Sequence, residues 1–326
     1  MNARLFAIGM VLVLTGCVPA AAPSAPPATP VTVMLDWVPN TNHTGLFVAA
    51  DQGYFAEEGL EVEIIQPGEV YAEQAVAGGA ADFGISFQEQ VTLARADDVP
   101  IVSIAAVLQH NTSAFASRAE LGVESPADWE GLRYGSFGSP FERPTLEGLM
   151  SCAGGDVERL EIVETGFTDP LALLQSKQID LAWIFYGWQA IQAEMLELDL
   201  DLVMMADHFD CIPDYYTPVL IASEATLAGR PELARGFLRA TARGYTFAAE
   251  NPEQAVEALL KAAPELDREH ALASQRWISP RYRAESPRWG TQTLAAWQGY
   301  ADWMLRNGIL TAPFEASGAF TAEFLP

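Results

Sequence analysis

The side chains best suited to hold a small molecule stand in six short clusters, each at the end of a strand-like run. DWVPNTNHTG (36–45) follows VTVML and places Trp37, Asn40 and His43 in a stretch too rich in turn formers to continue a strand. Ser86-Phe87-Gln88-Glu89 closes the run DFGIS, and His110-Asn111-Thr112 closes VPIVSIAAVLQ. SFGSPFE (136–142), with Phe137, enters a helix; Phe185-Tyr186-Gly187-Trp188-Gln189 does the same; and DCIPDYY (210–216) is the sixth. Together they offer amides, hydroxyls, helix N-terminal N–H groups and flat rings, with no cluster of cations. Such a set suits a flat, neutral, nitrogen-rich ring, its faces stacked on aromatics and its edges bonded to Asn and Gln. Phe185 continues an apolar strand and reads as core. Tyr186 and Trp188 flank Gly187, where the backbone must turn, and read as facing a cleft.

No catalytic set emerges beside these clusters. His43, His110, His208 and His270 form neither HxH nor HxxxH, so a zinc site has no ligands at local spacing. There is no GxSxG elbow and no GxxxxGK[ST] phosphate loop. His208 and His270 read as surface residues. The expected site is therefore a binding site with no metal, no cofactor and no catalytic residue. The acidic balance, 43 Asp and Glu against 18 Lys and Arg, argues against nucleic acid, whose phosphates need clustered bases.

Elements must bring the six clusters together, and their order suggests how. From Val31 onward, strand-like and helix-like segments alternate: strand 31–35, helix 43–59, strand 60–67, helix 71–81, strand 82–86, helix 87–98, strand 99–109. A second series runs from strand 131–137 to strand 201–206, the chain returns at 217–223, and four helical segments follow between 231 and 308. This predicts an α/β fold of two lobes, lobe 1 from 31–113 and 215–326, lobe 2 from 114–214. Two lobes joined by crossing segments leave a cleft, and such sheets bind ligands beyond the carboxyl ends of their strands.

The N-terminus stands outside this fold. Residues 1–17, MNARLFAIGMVLVLTGC, have the charge–apolar–small order of a secretory signal, and Leu14-Thr15-Gly16-Cys17 resembles a bacterial lipoprotein box. That reading cleaves before Cys17, puts a lipid on its thiol and leaves 18–30, rich in Pro and Ala, as a tether. Cys152 and Cys211 remain; residue spacing leaves open whether they pair or stand apart as half-buried thiols.

VTVMLDWVPNTNHTGLFVAADQGYFAEEGLEVEI followed by AVAGGAADFGIS resembles the bacterial solute-binding proteins of the thiamine-pyrimidine-synthase-like superfamily, most densely over 31–115. The resemblance implies a type II periplasmic-binding fold, a hinge, closure on a vitamin or vitamin precursor outside the cytoplasm, and an ABC permease and ATPase as partners. Enzymes of its fungal branch use a Cys-rich motif, a His and a Lys; this chain has no Cys cluster and only Lys177 and Lys261, so the resemblance implies a binding protein. It also places Trp37, Asn40 and His43 on the lobe 1 side of the cleft and Tyr186, Trp188 and Gln189 on the lobe 2 side. Within the first loop Asn40 is expected to reach ligand, and Thr41 or Asn42 to cap the next helix. Phe87, Gln88, His110 and Phe137 are further candidates from the strand ends. Gln189 offers a donor and an acceptor, which suits the imide edge of riboflavin and makes riboflavin the expected ligand, with a thiamine pyrimidine precursor (formylaminopyrimidine or hydroxymethylpyrimidine) as the alternative. Glu89 or Glu142 could instead supply the carboxylate that suits a thiamine pyrimidine precursor. An extracytoplasmic enzyme and a sensor module on the same fold are the competing classes.

Overall fold

The computed structural model describes residues 27–68, 70–166 and 168–326. The signal sequence, Cys17 and most of the tether lie outside the described residues. Two five-stranded sheets form the frame. The first contains β1 (Thr29–Met34), β2 (Leu60–Ile65), β3 (Phe83–Ser86), β4 (Ile101–Ala106) and β10 (Val219–Ser223), in the order β2-β1-β3-β10-β4. The second contains β5 (Ser113–Arg118), β6 (Arg133–Ser136), β7 (Glu161–Glu164), β8 (Leu181–Phe185) and β9 (Leu200–Met204), in the order β7-β6-β8-β5-β9. Four strands in each sheet share one direction, and the fourth in order runs against its neighbours. That fourth strand is β5 in one sheet and β10 in the other, the strands by which the chain enters and leaves the second sheet.

Strand β1 begins at Thr29, so the last two residues expected in the tether belong to the sheet. The helix expected over 43–59 is two, α1 (Thr44–Asp51) and α2 (Tyr54–Glu57), broken at Gly53, whose φ of +74° suits glycine. Helices α3 (Ala72–Ala77) and α4 (Gln88–Ala96) follow on either side of β3. The second lobe carries α5 (Glu142–Cys152), α6 (Pro170–Gln175) and α7 (Ile191–Met195). The chain then runs through α8 (Glu224–Gly229), α9 (Pro231–Glu250), α10 (Pro252–Ala262), α11 (Arg268–Ile278) and α12 (Leu294–Arg306). In α9, Ala234, Phe237, Leu238, Thr241, Tyr245 and Ala248 recur at helical spacing and are all buried, packing on α1 in the core it shares with the first sheet, with Pro231 starting the helix. Gly45 of α1 takes the Tyr245 ring where a Cβ would stand only 2.2 Å from it.

Helices cover both faces of both sheets. Helix α12 joins the two lobes: Trp297 packs with first-sheet residues, while Tyr300, Trp303 and Met304 share a core with Phe115, Trp129 and Leu146. Cys152 and Cys211 are joined in a disulfide, which ties the end of α5 to the segment leading back to the first sheet. Asp210 lies beside them, but bonded sulfurs leave no thiolate for a metal.

Candidate ligand-binding site

Polar residues leave the carboxyl ends of β1, β3, β6 and β8, as the reading of the sequence requires. The loop behind β1 is held by its own side chains. The Asn40 oxygen accepts from Asn42 N–H at 2.9 Å, and its amide donates to Val38 O at 3.0 Å. His43 Nδ1 accepts the Asn40 backbone N–H at 3.2 Å, so the ring proton sits on Nε2 and is donated to Asp36 at 2.6 Å. This is a capping box with His at the third position. Asn40 therefore does the capping expected of Thr41 or Asn42. His43 is fully buried and orients Asp36 from behind, whereas Trp37 remains 38% exposed at the loop's tip.

Behind β3, the Ser86 hydroxyl donates to Glu73 of α3, and burial, helped by the nearby charge of Asp36, raises the Glu73 pKa. Phe87 is partly exposed at the start of α4. Gln88 is buried: its oxygen accepts Tyr216 N–H at 2.8 Å and its amide reaches Ala296 O at 3.3 Å, so it braces the return crossing. Glu89 is 4% exposed, its Oε2 has no partner among the described residues, and desolvation pushes its pKa up to about 8. His110 stands on the outgoing crossing segment, half exposed. It meets Asp214 of the return segment at 2.5 Å and Glu285 at 3.0 Å. Its bond to Asp214 above all, against some desolvation, pushes its pKa up to about 9.

In the second lobe, Phe137 packs edge-on against Trp183, centroids 6.1 Å apart, and Trp183 Nε1 is buried without a partner among the described residues. Glu142 accepts from Tyr134 OH, Ser136 OH and the N–H groups of Phe137 and Ser139, at 2.7–3.2 Å. Its carboxylate is saturated and fills the place an anionic ligand would take at the start of α5. The chain leaves β8 in a π-helical turn, Tyr186–Ala190, a distortion common at functional sites. Gln189 turns back, its oxygen accepting Phe185 N–H at 3.0 Å.

That turn docks on α11. Tyr186 stacks on Trp277 at 4.8 Å, Trp188 lies 4.2 Å from His270, and His270 Nε2 donates to Trp188 O at 2.9 Å. His270 is thus buried, not the surface residue expected, and desolvation lowers its pKa. Ser274 Oγ lies 2.6 Å from Thr41 Oγ1 and donates to Gly187 O. One hydroxyl of α11 therefore connects the loop behind β1 with the turn behind β8. The structure brings Asn40, His43, Tyr186, Trp188 and Gln189 around this junction, while His110 sits apart on the crossing segments. Glu73, Trp183, Ser274 and Trp277 were not foreseen. Glu73 is one acidic residue in an Ala-rich helix, and α11 lies more than 80 residues from the turn it receives.

The chain is 31% identical over 317 residues to a formylaminopyrimidine-binding protein of Halalkalibacterium halodurans, covering 96% of each chain. It is 27% identical over 362 residues to the riboflavin-binding protein RibY of Chloroflexus aurantiacus, covering 100% of this chain and 99% of that one. Among solved structures, the alkanesulfonate-binding protein SsuA of Xanthomonas axonopodis pv. citri, bound to MOPS, superposes with a TM-score of 0.68 at 13% identity, covering 91% of this chain and 99% of that one. The two-lobed α/β architecture is that of periplasmic binding proteins. The profile described as NMT1/THI5 like matches residues 40–255, and the chain belongs to that family.

Proposed function

We propose that this chain is the extracytoplasmic solute receptor of an ABC importer, that it captures a flat nitrogen heterocycle of the vitamin type, and that it does so without chemical turnover. The observation carrying this reading is the junction at Ser274, where the loop behind β1 and the turn behind β8 meet from different lobes. Strand ends that converge across a hinge suit capture by closure. The lobe 2 ends supply rings, Phe137, Trp183 and Tyr186, and the lobe 1 ends supply Asp36, Trp37 and Glu73. That pairing fits a ring held by its faces and its polar edge. The likeness to binders of formylaminopyrimidine and of riboflavin supports both as ligands.

The receptor reading extends to place and partners. A disulfide suits an oxidising compartment, which agrees with a secretory signal. Attachment through a lipid on Cys17 and docking on a permease with its ATPase belong to the same proposal. Riboflavin is favoured by Gln189, whose oxygen already accepts Phe185 N–H, leaving one lone pair and the amide donors for a ligand. Riboflavin and the thiamine pyrimidine precursor stand as the two candidate ligands. Titration of the protein with both, read by quenching of its eight Trp, tests the reading. Saturable binding of either supports it. Conversion of a bound molecule to product would replace it with an enzyme.

A further inference from the structure

Among the described residues, Asp36, Glu73 and Glu89 of lobe 1 pair with no Lys or Arg. Glu73 receives one side-chain bond, from the Ser86 hydroxyl, and the charge that acts on it most is another carboxylate, Asp36. Asp36 spends one oxygen on His43. Glu89, whose Oε2 is buried with no partner among the described residues, feels the charge of Glu73. Asp36 and Glu73, at the ends of β1 and β3, concentrate acceptors that call for a ligand bringing donors.

We propose that Glu73 is the specificity-determining residue of the site and that it selects a heterocycle with an amidine edge, a basic ring nitrogen beside an exocyclic amino group. This rests on the receptor reading and deepens it. Ser86 occupies one lone pair of the Glu73 carboxyl, which leaves both oxygens able to bond a ligand. The ligand's amino N–H donates to one oxygen, and a single proton lies between the other oxygen and the ring nitrogen. With the proton on the ring nitrogen the two form an ion pair, whose hydrogen bonds are about twice as strong as neutral ones; with the proton on the carboxyl they form a neutral O–H···N bond of the same geometry. A lactam or imide edge has no basic nitrogen there and turns a carbonyl oxygen toward the carboxyl. Sites built around buried hydrogen bonds reject mismatched edges strongly, because a desolvated group is left unpaired.

The test compares 4-amino-5-hydroxymethyl-2-methylpyrimidine, its 4-oxo counterpart and riboflavin, titrated into the wild-type protein and into Glu73→Gln, with the melting temperature of each protein recorded. The amide of Gln keeps the shape, one donor and one acceptor, and loses the charge. The wild type is expected to prefer the amino over the oxo pyrimidine by more than about tenfold. In Glu73→Gln that preference should collapse, through weaker amino binding, at a melting temperature no lower than that of the wild type. An equal preference in both proteins overturns the role of Glu73 and leaves the receptor standing. Binding of riboflavin alone overturns the amidine selection and also leaves the receptor standing. If none of the three binds the wild type, the inference falls together with the receptor reading for these ligands. A Glu73→Asp variant separates a structural fault from lost recognition: recovery of the amino-over-oxo ratio at lower affinity supports the carboxyl, and no recovery argues against it.

Discussion

Replacing Glu89 by Gln should stabilise the protein, and the gain should grow with pH. Glu89 is buried at the start of α4, with Oε2 unpaired and a pKa pushed up from 4.5 to about 8. Below pH 4.5 the residue is protonated in both folded and unfolded chains and the substitution has no ionisation effect. Between pH 4.5 and about 8 the unfolded chain ionises while the folded one keeps its proton. Each pH unit in that window costs the folded state about 1.4 kcal/mol. The penalty reaches about 3 kcal/mol at pH 7 and on the order of 5 kcal/mol above pH 8, where it levels off. Glu89→Gln removes it at constant shape. At about 2 °C per kcal/mol for a chain of this size, the variant should melt roughly 10 °C above the wild type at pH 8.5. At pH 4.5 the two should nearly coincide. Differential scanning calorimetry from pH 4.5 to 8.5 measures the difference directly. A difference that stays flat across that range would refute the argument that burial keeps Glu89 neutral.

Three further outcomes follow from the geometry. Removing the Cys152–Cys211 bond, by reduction or by Ser at both positions, should destabilise lobe 2 by about 4 kcal/mol, since it closes a loop with a sequence separation of 59; denaturant unfolding with and without reductant reads this. A Cβ on Gly187 would stand 2.9 Å from the Trp277 ring, so Gly187→Val should push the π-helical turn off α11 and lower ligand affinity at least about tenfold while far-UV circular dichroism stays unchanged. His110 has its pKa raised by Asp214 and Glu285, so the stability it adds is full below pH 6.5 and is lost as pH rises through about 9. The advantage of wild type over His110→Gln should shrink over that window from roughly 1 kcal/mol, a small value because the ring is half exposed.

The alternation of strand and helix patterns was enough to announce the α/β class, because parallel strands buried on both faces are continuous apolar runs and the helices between them are amphipathic. Helices α9 to α11 followed from apolar spacing and from Pro and Asp at their starts. Strand β5, SAFASR, was missed: it is buried throughout, yet made mostly of Ala and Ser, so neither alternation nor β-branched residues mark it. The loop behind β1 was found, but its parts were misassigned. Asn40 and His43 stand three residues apart, the spacing of a capping box, and that signal was available. Gln88 and Gln189 read as ligand amides because a sequence does not show which backbone groups will need them; the fold spends them on Tyr216, Ala296 and Phe185. Glu73 becomes meaningful only when α3 sets it beside Ser86 and Asp36 in space.

Isothermal titration calorimetry of the purified protein with 4-amino-5-hydroxymethyl-2-methylpyrimidine and with riboflavin tests the central claim most directly. The receptor account predicts saturable one-to-one binding of at least one of them, micromolar or tighter, with the ligand recovered unchanged. Absence of heat from both, or recovery of a converted product, would contradict it.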